Sequence, residues 1–191
     1  MTQTTVQIPG YLAGSWTIDP THSDVSFLVR HMMVSKVRGH FPDVAGTIVT
    51  AENPLDSTVN ATVKLTSIDT RSEQRDNHIR SADFFDVEKH PEMTFASTGL
   101  AQDGDDFVLT GDLTLKDVTK SVPLTLEIGG FGPDAYGGTR AGFTASGSIN
   151  RSDFGVDIQM PLDGGGVVVG EKITINLEIE AVLDQPKPGQ N

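Results

Sequence analysis

The sequence predicts an all-β fold in which eight antiparallel strands close into an elongated barrel, with one helix near its mouth. Most of the chain alternates apolar and polar residues with a period of two, which is typical of strands that bury one face. The one long stretch that breaks this alternation is 70–85, and it predicts the single helix. Because one helix cannot cover an open sheet, closure into a barrel buries every inner face and removes the edges.

Proline-containing turns separate the strands in the first half of the chain. Trp16 and Ile18 form a short strand that stops at Asp19-Pro20, because proline fixes its own φ and restricts the residue before it. Segment 32–41 alternates poorly and predicts a connecting or edge strand. The clearly alternating segments are 23–31, 44–50 and 58–65.

The second half of the chain holds the longest strands. Segments 107–115 and 118–128 are separated by Lys116 and Asp117 alone, and so short a connection requires antiparallel pairing. At roughly 3.3 Å per residue, strands of about eleven residues span on the order of 35 Å, which predicts an elongated barrel. The other strands of this half are one in which Met93 and Phe95 share a face, the segment 141–149 and the segment 173–181.

The strand 141–149 allows two kinds of barrel interior. Small residues on its inner face either leave a channel for a long apolar guest or accommodate bulky phenylalanines from the opposite wall. The residues on this face are Ala141, Phe143, Ala145, Gly147 and Ile149.

We expect the helix to span about 71–82 and to act as a lid at the barrel mouth. Thr70 and Glu73 match a Thr-x-x-Glu capping box, which predicts that the helix begins at Arg71. Asp76 and Arg80 are four residues apart, which predicts a weakly stabilising ion pair.

The same helix predicts a cationic stripe beside an aromatic anchor. Arg71, Arg75 and His78 share one face of the helix, and Phe84 and Phe85 follow it. The stripe is either a solvated face or a clamp for a ligand head group, since arginine and protonated histidine suit a phosphate or an oxygenated ring.

Composition predicts one soluble domain without a nucleic-acid partner. The chain has 191 residues, 37% of them hydrophobic, which is enough for one domain with its own core. The formal net charge of −12 would repel a phosphate backbone. The absence of cysteine removes disulfides and thiolate chemistry. Neither a secretory signal nor an apolar run of membrane-spanning length occurs, so we expect a cytoplasmic location.

Local composition divides the chain into three parts. We expect a flexible polar leader at 1–14, a single barrel domain at 15–183 and a disordered tail at 184–191. The tail, DQPKPGQN, is rich in proline and polar residues and has little to bury.

The sequence lacks common catalytic and metal-binding motifs. The glycine-rich segment before Lys172 resembles a phosphate loop, but Glu171 stands where the lysine must be. No Gly-x-Ser-x-Gly or His-Glu-x-x-His pattern occurs. His22, His31 and His78 could meet around a metal, but their spacing does not require it, so we predict neither metal nor cofactor.

From Trp16 to about Val182, the chain resembles the YceI-like polyisoprenoid-binding family. The resemblance lies in the order of short motifs: WTIDPTHS (16–23), FLVRH (27–31), RGHF (38–41), SIDTR with RDNHIRSADFFD (67–86), PEMTF (91–95), LTLK (113–116) and RSDFG (151–155). It implies a lipocalin-like barrel that sequesters an isoprenoid chain, such as a quinone tail or a polyprenyl phosphate, without catalysing a reaction. Many members of that family are periplasmic.

The inward faces and the helix supply the candidate ligand-binding residues. The lipid tail is expected to contact Phe27, Val29, Phe84, Phe85, Met93, Phe95, Phe107, Leu109, Phe143, Ala145, Ile175 and Leu177. The polar end of the lipid is expected to contact Arg30, His31, Arg75 and His78.

Three functions remain open at this point. The first is non-catalytic binding, transport or storage of a polyisoprenoid lipid, either an isoprenoid quinone or a polyprenyl phosphate. The second is a hydrolase or isomerase in which a histidine at the mouth works with Asp76 or Asp83 as general acid and base. The third is a barrel filled by its own side chains that binds only protein partners. A homodimer is compatible with all three.

Overall fold

The computed structural model describes residues 6–163 and 165–185. Within these residues the chain forms one α-helix and ten strands. Helix α1 spans Glu73–Arg80. The strands are β1 (Gly14–Ile18), β2 (Asp24–His31), β3 (Ser35–His40), β4 (Val44–Thr50), β5 (Thr58–Lys64), β6 (Glu92–Asp103), β7 (Asp106–Leu115), β8 (Val118–Pro133), β9 (Thr139–Asn150) and β10 (Val169–Leu183).

The strands close into an antiparallel barrel with eight positions around its circumference. The order is β1-β4-β5-β6-β7-β8-β9-β10, and β10 pairs again with β1. The other strands, β2 and β3, extend two of these positions: β2 pairs with β10 beyond β1, and β3 pairs with β2. The predicted eight-stranded barrel is therefore confirmed.

Two breaks in the strands follow from local sequence, as predicted. After β1, the Asp19 carboxylate accepts a hydrogen bond from the Thr21 backbone N–H at 2.9 Å and caps a 3-10 turn that begins at Pro20. Between β7 and β8, Lys116 and Asp117 both have positive φ, 52° and 62°, as the central residues of a tight two-residue hairpin turn do.

Antiparallel pairing places the connections at two ends of the barrel. The helix end comprises segment 65–91 with α1, the β2–β3 loop 32–34, the β7–β8 turn and the described parts, 151–163 and 165–168, of the connection before β10. The leader end comprises residues 6–13, the loop 51–57 and the turns at 104–105 and 134–138. Segment 65–91 covers the outer edge of β3, where His40 and Asp69 exchange two backbone hydrogen bonds of 2.9 Å.

The helix begins later than the capping box predicts. Ser72, not Thr70, is the N-cap, and its hydroxyl accepts the Arg75 backbone N–H at 3.4 Å. Arg71 has a φ of 63°, a left-handed conformation that no α-helix continues. The predicted start at Arg71 is therefore wrong, whereas the helix itself is confirmed, two residues shorter at each end than the predicted span of about 71–82.

The predicted Asp76–Arg80 ion pair is also wrong. Asp76 is buried and accepts hydrogen bonds from Thr70 instead. The Arg80 guanidinium donates to the carbonyl oxygens of Thr66 at 3.0 Å and Ile68 at 2.9 Å. Both side chains therefore join α1 to the segment that precedes it, which holds a short helix in place without a long apolar face. Among the described residues, no helix is long and apolar enough to cross a membrane.

Part of the predicted flexible leader packs on the barrel. Val6 is 9% exposed, and Ile8 packs against the same core cluster. Beyond β10, the backbone N–H of Asp184 donates to Ser15, and its carboxylate accepts from Ser15 and Thr17. Residues 6–13 and Asp184 therefore contact the barrel, while residues 1–5 and 186–191 lie outside the described residues. The flexible leader at 1–14 and the disordered tail at 184–191 remain predictions from the sequence.

Candidate functional site

The barrel encloses a cavity of about 680 Å³. Its wall consists mainly of aliphatic and aromatic side chains from every strand of the ring and from β2 and β3, together with α1 and the residues around it. The volume falls in the range of pockets that hold small organic ligands. The proposal of a barrel filled by its own side chains is therefore wrong.

Eleven of the twelve predicted tail-contacting residues line this cavity. Phe107 is the exception: it is buried, at 5% exposure, but lies at the start of β7 beside the leader-end turn, outside the lining. The residues that do line it are Phe27, Val29, Phe84, Phe85, Met93, Phe95, Leu109, Phe143, Ala145, Ile175 and Leu177.

Some of the small residues of β9 make room for other side chains, and one of them borders the open cavity. Ala141, with Ala181 of β10, packs against the fully buried Trp16. Gly147 is covered by Leu124, since a Cβ at this glycine would lie 2.8 Å from Leu124 Cδ2. Ala145 faces the cavity. Ala141 and Gly147 are therefore covered by other side chains, whereas Phe143, Ala145 and Ile149 border the open volume.

Four basic side chains predicted for the head group line the cavity at the helix end: Arg30, His31, Arg75 and His78. The His78 Nε2 atom lies 2.8 Å from an oxygen of Asp83, and its ring packs edge-on against Phe84. Arg71, the remaining member of the predicted stripe, is exposed and lies outside the lining.

A short hydrogen-bond chain fixes the direction of Arg75. The Thr70 hydroxyl donates to Asp76 Oδ1 at 2.6 Å and accepts from Arg75 Nε at 2.7 Å. Arg75 Nη2 also donates to the Thr70 carbonyl at 2.6 Å. Asp76 is only 6% exposed and lies outside the cavity lining, so it orients Thr70 and Arg75 and is not placed to act on a ligand.

Arg151 is a basic cavity residue that the face assignment missed. It is 5% exposed, and its guanidinium donates to the carbonyl oxygens of Gly170 at 3.0 Å, Val156 at 2.8 Å and Val169 at 3.4 Å. The sequence places it in a loop after β9, where alternation no longer predicts direction. Its position at the start of the RSDFG motif was the sequence feature that could have identified it as a candidate site residue.

The positive charge of Arg151 is only weakly balanced by protein. Among the described residues its one ion-pair contact is Glu171, with 3.9 Å between Arg151 Nε and Glu171 Oε2. Hydrogen bonds from the Ser152 hydroxyl and backbone N–H, with the nearby Arg151 charge, hold the pKa of Glu171 below its ordinary value. Glu171 thus also accepts hydrogen bonds from Ser152, and the three hydrogen bonds of the Arg151 guanidinium go to neutral carbonyls.

The polar lining at the leader end is neutral and satisfied by protein. The Tyr11 hydroxyl donates to the Ala51 carbonyl at 2.7 Å and lies 3.1 Å from the Ser57 hydroxyl. The Thr50 hydroxyl donates to the Leu12 carbonyl at 2.7 Å and accepts from Trp16 Nε1 at 2.8 Å. Among the described residues, every ionisable basic side chain of the lining lies at the helix end, and no carboxylate lines the cavity.

A separate ion-pair cluster on the barrel wall explains part of the WTIDPTHS motif. The Arg140 guanidinium donates to Asp19 and Glu180, each at 2.7 Å, and His22 lies 2.7 Å from Asp19. Hydrogen bonds from Arg140 and His22 hold the pKa of Asp19 well below its ordinary value. Asp19, His22 and Glu180 have a spacing that suits a metal, but the guanidinium already binds two of them. His22 belongs to this cluster whereas His31 and His78 line the cavity, so the structure does not assemble the three-histidine site.

A closed antiparallel barrel with a deep apolar cavity and basic groups at one end defines a ligand-binding barrel for apolar or amphipathic molecules. The YceI-like domain matches residues 16–181 of this chain. The chain therefore belongs to the YceI-like family, as its motifs indicated.

Similar proteins agree with this assignment. The chain is 45% identical to protein YceI of Escherichia coli over 148 residues, which is 76% of this chain and 78% of that protein. The crystal structure of the YceI protein of Campylobacter jejuni superposes with a TM-score of 0.69 and 31% identity, covering 82% of this chain and 90% of that one. A polyisoprenoid-binding domain from Saccharophagus degradans has a TM-score of 0.67 over 91% of this chain and 100% of that domain; at 15% identity it supports the fold.

Proposed function

We propose that this protein binds a polyisoprenoid lipid in the barrel, either an isoprenoid quinone or a polyprenyl phosphate, and carries or stores it without changing it chemically. The observation that carries the proposal is the apolar cavity of about 680 Å³ with its basic groups confined to one end. Family membership and the fold shared with a polyisoprenoid-binding domain support the same ligand class.

The free energy of burial favours a long prenyl chain over a short one. Each isoprene unit adds five carbons, worth roughly 4 kcal/mol at about 0.8 kcal/mol per buried carbon. Association costs about 4 to 15 kcal/mol in lost translational and rotational freedom, before the chain itself is ordered. One unit therefore gives no net binding, whereas several units do.

Arg75 and Arg151 are the strongest candidates for contact with the polar end of the lipid. Arg75 is oriented by Thr70, and Arg151 is held by three carbonyls, so both are positioned before a ligand arrives. Such fixed cations lose little conformational freedom when they bind a phosphate or a quinone oxygen. We expect Arg30, His31 and His78 to complete the polar environment.

The proposal can be tested by native mass spectrometry with a variant that fills the cavity. In Ala145→Trp the indole would occupy cavity volume, whereas Ala96→Trp places the same side chain on the exposed outer face of β6. We expect wild type and Ala96→Trp to carry a lipid mass after purification from the native host, and to rebind a polyprenyl phosphate or a quinone after extraction. We expect Ala145→Trp to lose most of this binding while it still unfolds cooperatively.

The same experiment separates binding from catalysis. Recovery of the added lipid unchanged after long incubation is the expected result. Conversion of the lipid by wild type, abolished by His78→Ala without loss of binding, would instead support an enzyme that uses the His78–Asp83 pair. Equal lipid binding by Ala145→Trp and wild type would contradict the cavity as the binding site.

A further inference from the structure

The β2–β3 loop at the helix end exposes an apolar tip. Met32, Met33 and Val34, which we call the hairpin tip, are 45%, 50% and 85% exposed. Met33 leans over the neighbouring loop, since a Cβ at Gly166 would lie 3.1 Å from Met33 Cγ. Val34 is left in solvent. Consecutive large apolar residues at a loop tip are unfavourable in water unless another surface covers them.

The backbone of the hairpin tip does not suit its side chains. Met32 and Met33 have φ values of 50° and 62°, and the Val34 N–H donates to the His31 carbonyl at 3.2 Å. Positive φ at both central residues is the geometry that favours Asn-Gly and disfavours long side chains. The two methionines are thus poor choices for this turn, which points to a role for their exposed side chains.

A basic collar surrounds the tip in an otherwise acidic protein. Lys36 and Arg38 are exposed on the outer face of this hairpin, and Arg30, which is exposed at the rim of the cavity, pairs with Lys36 across the two strands. Residues 25–42 contain no aspartate or glutamate, although the whole chain has 26 acidic residues and a net charge of −12. Asp24, at the base of the hairpin, lies 2.7 Å from His40. On the adjacent loop, Asp163 is the exposed carboxylate that follows Leu162.

We propose that this hairpin docks the protein on a lipid bilayer that contains anionic lipid. The hairpin tip would enter the interfacial region of the bilayer, and the basic collar would contact lipid phosphates. At about 0.15 M salt the screening length is roughly 8 Å, so the local collar outweighs the more distant acidic surface. This inference does not depend on the identity of the cavity ligand.

The hairpin that carries the tip also forms part of the cavity wall. Val29, Arg30, His31 and Val37 belong to the same two strands and line the cavity. A bilayer that covers the hairpin tip therefore lies next to the basic end of the cavity. Exchange of a ligand between the bilayer and the cavity would begin at this end.

Vesicle flotation tests the proposal with full-length protein. The probes are vesicles of phosphatidylcholine alone and vesicles that also contain phosphatidylglycerol, at moderate salt. One variant combines Met32→Asn, Met33→Gly and Val34→Ser, which removes the apolar tip and supplies the residues that the turn prefers. A second combines Lys36→Glu and Arg38→Glu. The control is Tyr136→Ser, which removes an apolar side chain that is 91% exposed at the leader end.

We expect wild type and Tyr136→Ser to float with the anionic vesicles and to bind neutral vesicles at least tenfold less. We expect each hairpin variant to lose at least tenfold in binding to anionic vesicles while keeping the cavity ligand in native mass spectra. The tip variant should also unfold at a higher temperature than wild type, which excludes misfolding as the cause. Failure of wild type to bind anionic vesicles, or unchanged binding by both hairpin variants, would overturn the proposal.

Discussion

At the leader end of the barrel, neutral rings and satisfied hydroxyls close the interior, whereas at the helix end basic side chains reach the cavity. Around Phe131, the rings of Tyr11, Trp16 and Phe143 pack edge-on with centroid distances of 5.4, 5.6 and 6.1 Å. At the other end, Arg75 and Arg151 line the cavity. The leader end thus has the character of a packed core, and the helix end that of a binding site.

The difference gives the cavity a direction. An amphipathic lipid loses hydration of its polar group wherever that group is buried without a partner. Only the helix end offers cationic partners among the described residues of the lining, so the apolar end of a ligand should point toward Phe131. We therefore expect substitutions at the leader end to lower mainly stability, and substitutions of cavity residues at the helix end to weaken lipid binding.

The largest expected effect is on stability, at the leader end. Trp16→Ala should lower the free energy of unfolding by about 3 to 5 kcal/mol, because it empties a fully buried site and removes the hydrogen bond to Thr50. Urea unfolding followed by circular dichroism measures this change. Trp16→Phe, which keeps a ring against Phe131, should lose clearly less. A loss below about 1 kcal/mol in the alanine variant would show that this end is not a packed core.

Arg151→Met should affect both stability and binding. Removal of the guanidinium leaves three carbonyl groups without their donor, which should lower the free energy of unfolding by about 2 to 4 kcal/mol. Binding of a polyprenyl phosphate, measured by titration calorimetry at a temperature where the variant is folded, should weaken about tenfold or more.

Arg80→Met is the matched control for Arg151→Met. Arg80 also donates to two backbone carbonyls, but it lies outside the cavity lining. It should lose stability with little change in lipid affinity. If both variants lose lipid affinity equally, Arg151 acts through the fold and not through the ligand.

The smallest expected effect is on acid stability, at the Arg140 cluster. The pKa of Asp19 is lowered in the folded state, chiefly by the hydrogen bond from Arg140. A lowered pKa stabilises the fold above the unfolded value of about 3.9, and this contribution is lost as the pH falls below that value. Melting temperatures of wild type should therefore drop more steeply below about pH 4 than those of Asp19→Asn.

Asp105→Asn, in the exposed β6–β7 turn, serves as the control for this measurement. It should leave the pH dependence of wild type unchanged. Parallel curves for wild type and Asp19→Asn would mean that the cluster does not contribute to acid stability. Lipid binding should be the same in all three proteins at neutral pH, since Asp19 lies outside the cavity lining.

The sequence was informative wherever local pattern determines structure. Alternation identified the inward faces, and the two-residue connection at Lys116 and Asp117 determined the pairing of β7 with β8. The start of α1 was missed because the Thr70 side chain does not cap the helix: it donates to Asp76, six residues away, and Ser72 is the N-cap. Such a contact has no signature in capping motifs.

The candidate site shows the same limit. Strand residues such as Val29 and Ile175 were placed correctly on the cavity wall, because alternation fixes their direction. Arg151 was missed because loop residues have no periodicity. The packing of Val6 and Ile8 was missed because apolar residues in a short segment without strand or helix periodicity do not indicate what they pack against. The cytoplasmic location and the homodimer remain predictions from the sequence.

The direction of a bound lipid can be measured with the single tryptophan of the chain, Trp16, which is buried at the leader end. Polyprenyl phosphate analogues would carry a nitroxide, which quenches tryptophan fluorescence at close range, at either the tail end or the head end. We predict strong quenching of Trp16 by the tail-labelled analogue and little by the head-labelled one. Strong quenching by the head-labelled analogue alone, or by neither analogue when both bind, would contradict a lipid held in the barrel with its polar group at the helix end.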